Sequence, residues 1–98
     1  METELKAEFD NRKSFYGKAN VANEKNKLVL RSYGTRVVEI DVIENKAVVF
    51  GIHSVTTLRH IKEFLKQNGF EAETKEQILK DYSFLWIWKK LGGKIKWK

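Results

Sequence analysis

The sequence predicts an α+β domain: a small antiparallel β-sheet over residues 14–52, packed against one amphipathic helix over residues 54–68 and followed by a second, C-terminal helix. Three observations carry this. Val55, Leu58, Ile61, Phe64 and Leu65 recur at helical spacing and form one apolar stripe. Upstream, Val38, Ile40 and Val42 alternate with Val37, Glu39 and Asp41, the period of a half-buried strand. Downstream, Thr74-Lys75-Glu76-Gln77 has capping-box spacing at a second helix start.

In chain order, residues 1–13 mix Glu2, Glu4, Glu8 and Asp10 with Lys6, Arg12 and Lys13. Leu5 and Phe9 stand four apart, which fits a short helix; a frayed, solvated terminus is the equal alternative. Residues 14–21 are a modest strand candidate with Phe15 or Tyr16 turned inward. Asn23-Glu24-Lys25-Asn26 is polar and reads as a turn. Residues 28–33 form a strand, interrupted at Tyr33-Gly34-Thr35, where Gly34 makes a bulge or a tight turn. Residues 36–43 are the strongest strand. Glu44-Asn45-Lys46 turns the chain, because Asn tolerates positive φ. Residues 47–52 then return as the other arm of an antiparallel hairpin.

The first helix has its own start and stop signals. The Ser54 hydroxyl is placed to accept from first-turn N–H groups. Gly69 suits the left-handed stop, and Phe70 falls where it folds back on Leu65 in a Schellman-type ending. The stripe is expected to bury against Val38, Ile40, Val42, Val48 and Phe50. Arg59, Lys62 and Lys66 stand three and four apart, so they share the solvent face. After the linker Glu71-Ala72-Glu73, Ile78, Leu79 and Tyr82 share one side of a second helix, expected over 75–90. The alternative is a switch to strand, with Gly92-Gly93 turning a hairpin that sets Trp88 against Trp97.

Ninety-eight residues make one small domain. It divides into a mixed-charge segment 1–13, an α+β domain 14–82, and a basic aromatic tail 83–98. Cys is absent, which excludes a disulfide framework and a thiolate metal site. The N-terminus is acidic and shows no apolar leader. The longest apolar run, residues 84–88, is far too short to span a bilayer. A cytoplasmic location is the expectation.

The net charge of +6 is unevenly placed. Residues 1–81 carry fourteen Lys or Arg against thirteen Asp or Glu, whereas residues 82–98 carry five lysines and no acid. Trp86, Trp88 and Trp97 interleave with these lysines. Aromatic planes with cations suit nucleic acid: stacking contributes about 1–3 kcal/mol per base, and lysines add salt-dependent phosphate contacts. The expected binding residues are therefore Lys89, Lys90, Lys94, Lys96, Trp97 and Lys98, with Arg59, Lys62 and Lys66 as accessories. Glu63 sits among the latter three, can pair with Arg59 or Gln67, and weakens their field. No preceding helix stands in helix-turn-helix spacing. The bland alternative has Trp86 and Trp88 closing a small core while the lysines keep the end soluble. A protein interface with Trp anchors is another alternative. A membrane surface met through the tail ranks below these.

Motifs for catalysis are missing. His53 and His60 are the only histidines, seven apart, without the short spacings of a zinc site. A structural hydrogen-bonding role is the preferred reading of each. Glu39 and Asp41 share a strand face and could pair for acid–base work or hold a cation; a solvated hairpin face is the simpler reading. There is no G-x-S-x-G and no Gly-rich phosphate loop. A non-enzyme without cofactor or metal is the expectation.

Arg31-Ser32-Tyr33-Gly34-Thr35, Val37-Val38-Glu39-Ile40 and the run from Phe50-Gly51-Ile52-His53-Ser54 through Thr57-Leu58-Arg59-His60-Ile61 to Phe64-Leu65 together resemble a known pattern. It is that of a small uncharacterised domain family found in phages, prophages and plasmids of Gram-positive bacteria. The resemblance covers roughly residues 14–82. It implies a mobile-element setting in a bacterial host and carries over no catalytic residues. Two functions are then in view: a mobile-element module binding nucleic acid, or an anti-CRISPR-like inhibitor of a host defence protein.

Overall fold

A computed structural model describes residues 2–11 and 14–83. The fold is α+β, as expected, with five antiparallel strands lying side by side in chain order. These are β1 (Glu2–Glu4), β2 (Ala19–Glu24), β3 (Lys27–Ser32), β4 (Thr35–Asp41) and β5 (Lys46–Val49). Two helices follow, α1 (Val55–Gln67) and α2 (Lys75–Tyr82).

The sheet starts earlier than the sequence suggests. Residues 2–11 are neither helix nor frayed end. Glu2 pairs with Ala22 and Glu4 with Asn20, making β1 an edge strand. The Leu5 N–H donates to the Ala19 carbonyl at 2.9 Å, and Leu5 is buried. Phe9 stays 58% exposed, so the four-residue spacing of Leu5 and Phe9 reflects no helix. Burial of Leu5 draws the segment onto the sheet. Of the two candidates in the next segment, Phe15 is the buried one, and Tyr16 lies in a turn.

Register decides which valines face the helices. Val38 stands opposite Leu30 and Val49, and Ile40 opposite Leu28 and Ala47, so these share the core face. Val48 pairs with Glu39 and lies on the other face, while Phe50 stays 48% exposed. β4 ends at Asp41, leaving Val42 and Ile43 exposed in the following turn. Val42, Val48 and Phe50 are thus not the core residues expected; Ala47 and Val49 take their place. A register shift between Leu30 and Arg31 adds one residue to β4, so that adjacent Val37 and Val38 are both buried. The far face of the sheet buries Val29 and Ala22 among the ion pairs of Arg31 with Glu2, Arg36 with Glu24 and Glu39, and Lys27 with Glu39. The aliphatic stems of these long side chains cover the valine.

α1 begins and ends as its sequence signals require. Ser54 Oγ accepts the Thr57 N–H at 3.1 Å. Gly69 takes φ +84°, its N–H donates to the Lys66 carbonyl, and the Phe70 N–H donates to the Leu65 carbonyl. Ile61, Phe64 and Leu65 are fully buried in the main cluster, Leu58 is half-buried, and Val55 is 76% exposed. The stripe therefore meets the sheet from Leu58 onward.

α2 starts at Thr74, whose hydroxyl accepts the Gln77 N–H at 3.1 Å, and buries Ile78. It does not run to residue 90. Ser83 is extended, with ψ 132°, and bridges Val49 in parallel at the open side of β5. The Gly92-Gly93 hairpin and the three tryptophans lie outside the described residues. Among those described, no helix is long and apolar enough to cross a membrane.

The Tyr82 hydroxyl ties α2 to the linker by donating to the Glu71 carbonyl at 2.8 Å. Desolvation raises the phenol above its ordinary value of 10.0, and the charges of Asp81 and Glu71 add to the rise. A raised folded value means that this stabilisation is complete below the unfolded pKa and disappears as pH climbs through the folded one. Urea melts should show an alkaline fall in stability above about pH 10 that Tyr82→Phe removes. An identical pH profile for the variant would refute the assignment.

Candidate functional site

The outer face of α1 carries three of the predicted binding residues, Arg59, Lys62 and Lys66. The cationic stripe, expected to be weakened only by Glu63, is also crossed by the N-terminal segment. Arg59 Nε and Nη2 donate to Asp10 Oδ2 and Oδ1 at 3.1 and 3.2 Å, a two-point ion pair. Beside it, Glu63 is 1% exposed. Its carboxylate accepts the backbone N–H groups of Glu8, Phe9 and Asp10 at 2.9 Å each. Gln67 Nε2 bridges Glu63 and the Lys6 carbonyl. Three successive amides thus form a nest around one carboxylate. Sequence reasoning anticipated the Gln67 contact and missed the amides. The one available signal was the position of Glu63 between Ile61 and Phe64, inside the apolar stripe.

Lys62 and Lys66 make no ion pair among the described residues. They stand one turn apart, so their stems are roughly 6 Å apart along the helix axis. Lys62 borders an open groove of about 350 Å³ lined also by Phe9, Asp10, Asn11, Val55, Leu58 and Arg59. A smaller recess of about 60 Å³ continues past Glu63 to Lys66. Exposed Phe9 and Val55 give the groove apolar walls, Arg59 and Asp10 balance each other within it, and Lys62 adds a positive charge that Lys66 continues in the adjoining recess. This surface suits a ligand with both anionic and flat or apolar parts. Lys89, Lys90, Lys94, Lys96, Trp97 and Lys98 lie outside the described residues.

A second polar cluster sits under the start of α1. Ser32 Oγ is 2.8 Å from His60 Nδ1 and 3.0 Å from Thr57 Oγ1, and Ser54 Oγ donates to Thr57 Oγ1 at 3.2 Å. Ser32, Thr57 and His60 are each at most 2% exposed. The Phe15 ring meets the imidazole edge-on at 4.7 Å, and Tyr33 leans over it at 5.8 Å. His60 is thus the structural hydrogen-bonder it was read as, and the cluster ties β3 to α1. His53 is exposed and stands apart from it.

Glu39 and Asp41 each have other partners. Arg36 holds Glu39 at 2.6 Å, with Lys27 at 3.5 Å, while Asp41 Oδ1 accepts the N–H groups of Ile43 and Glu44. Among the described residues there is no cluster of His, Asp or Glu able to hold a metal ion.

Among known protein families, the model of a family of unknown function, DUF8033, matches residues 3–80. No curated protein and no solved structure matches the chain.

Proposed function

The chain belongs to the DUF8033 family of unknown function, and on that premise we propose a non-catalytic accessory protein of a phage or plasmid that binds nucleic acid or a nucleoprotein through a basic, aromatic surface. It works in the cytoplasm of the bacterial host. The observation that carries this reading is the charge distribution: five lysines and no acid in residues 82–98, interleaved with Trp86, Trp88 and Trp97. Lys62 and Lys66, beside exposed Phe9, extend the same chemistry onto α1. The mobile-element setting is what the family resemblance over roughly residues 14–82 implies.

Electrophoretic mobility shifts in low salt, with single-stranded and duplex DNA, test it. The intact chain should bind, and affinity should fall steeply with salt. Deleting residues 89–98 should abolish most of the affinity. Lys62→Gln with Lys66→Gln should flatten the log–log salt slope by roughly 0.7 for each phosphate of a single strand that is no longer neutralised. No binding at low salt would end this reading.

A second reading is an anti-CRISPR-like inhibitor acting by protein contact. Phe9 and Val55, both more than half exposed beside the groove, favour it. It requires a stable complex with a purified host nuclease, abolished by Phe9→Ala, and no affinity for nucleic acid alone.

A further inference from the structure

We propose that Asp10 is a built-in competitor at the α1 surface: its carboxylate holds Arg59 in the place of a nucleic-acid phosphate, and a bound strand engages Arg59 only by displacing it. This rests on the nucleic-acid reading and adds to it how the affinity of that surface is restrained.

The contact has the form a phosphate would take. Arg59 presents Nε and Nη2 to the two oxygens of one carboxylate, Asp10 Oδ2 and Oδ1, at 3.1 and 3.2 Å. A phosphate offers a similar pair of oxygens to the same fork. Arg59, Lys62 and Lys66 follow one another along α1, separated by rises of about 4.5 Å and about 6 Å. Asp10 therefore occupies the first place in a row of three cations.

Residues 6–10 cross α1 as a strap, and the strap does not need the Asp10 carboxylate to keep its course. Glu63 accepts the backbone N–H groups of Glu8, Phe9 and Asp10. Any residue but proline at position 10 supplies that last N–H. Gln67 holds the Lys6 carbonyl, and Leu5 is buried just before it. What the side chain of Asp10 adds is a charge, set on Arg59 and 11% exposed.

The local balance makes that charge matter. The groove and its adjoining recess are lined by Arg59, Lys62 and Lys66 and by the carboxylates of Asp10 and Glu63. Three cations thus face two anions, and one positive charge is left over. Glu63 is buried under the strap amides, whereas Asp10 borders the open groove. Displacing Asp10 doubles the excess. A lone phosphate only exchanges one anion for another at Arg59. A strand brings further phosphates to Lys62 and Lys66, which make no ion pair among the described residues. Each contact after the first is then intramolecular, so the competitor yields to a polyanion and not to a single anion.

Fluorescence anisotropy of the intact chain with a labelled oligothymidylate, over a series of salt concentrations, tests this. Asp10→Asn should tighten binding by about fivefold and steepen the log–log salt slope by about 0.7, the share of one further phosphate. Asp10→Ser should match it. Glu8→Gln makes the same change of net charge two residues away on the strap, where Glu8 is exposed and pairs with no cation among the described residues. It should stay within about twofold of the parent, because solvent and salt screen a charge outside the contact. All three variants should keep the circular dichroism of the parent. An equal gain in Glu8→Gln makes the effect one of net charge and overturns the competitor. Asp10 variants that bind like the parent overturn it too, and both results leave the nucleic-acid reading standing. Binding seen only in the Asp10 variants supports the competitor. If neither the parent nor any variant binds, the competitor and the nucleic-acid reading fall together.

Discussion

Glu63→Ala should destabilise the fold by about 3–4 kcal/mol, an effect far larger than a glutamate on a helix surface ordinarily has. Its carboxylate is buried and accepts three successive backbone N–H groups from residues 8–10, together with the Gln67 amide. Hydrogen bonds to a charged group contribute about 1.5–3 kcal/mol each, though not additively when they share an acceptor. Alanine leaves those N–H groups without a partner and opens a space between the helix and residues 6–10, the strap that crosses it. Glu63→Gln keeps the shape but offers one carbonyl oxygen where two stood, so about 2 kcal/mol is expected. Urea melts followed by circular dichroism give both values. Amide exchange of residues 8–10 should also quicken well before the sheet opens. If both variants melt within about 0.5 kcal/mol of the parent, the nest contributes nothing and the strap is held by Leu5, the β1 pairing and the Asp10–Arg59 ion pair. Release of the strap also takes Asp10 from Arg59 and breaks that ion pair.

Ile61→Ala should cost about 2–5 kcal/mol, the sum of forfeited burial and the cavity left in the main cluster. Ile61 is fully buried there with Leu30, Val38, Phe64 and Leu65. Leu58→Ala should cost distinctly less, since Leu58 is only half-buried. Val55→Ala should fall within about 0.5 kcal/mol of the parent, because Val55 is 76% exposed. Thermal melts of the three variants read this gradient directly. Equal effects at all three positions would mean that the whole stripe is buried, against the gradient of exposure along α1.

The same stripe shows how far local pattern reaches. Its period identified α1, and Ser54, Gly69 and Phe70 identified both ends. The hairpin of β4 and β5 was legible from alternation and Asn45, which does take φ +55°. Which valines face inward was not, because adjacent Val37, Val38, Val48 and Val49 present an apolar residue to both faces whichever register is chosen. Cross-strand pairing and one extra residue in β4 settle it. The N-terminal segment was misread because charged residues dominate it, and a single buried leucine leaves no period. At the candidate site, Arg59, Lys62 and Lys66 were correctly placed on one face of α1, yet the carboxylate expected beside Arg59 was that of Glu63, not Asp10. Asp10 lies forty-nine residues from Arg59 in the chain.

By itself, then, the sequence determined α1 with its caps, the start of α2, the exclusion of cysteine chemistry and the place of the excess positive charge. Each depends on residues within about two helical turns, or on counting alone. Only the tertiary structure decided the sheet's register, the strap over α1, the burial of Glu63 and the packing of Tyr33 against His60. These rest on partners up to sixty-one residues apart, and on backbone amides, which every residue carries and no sequence pattern distinguishes.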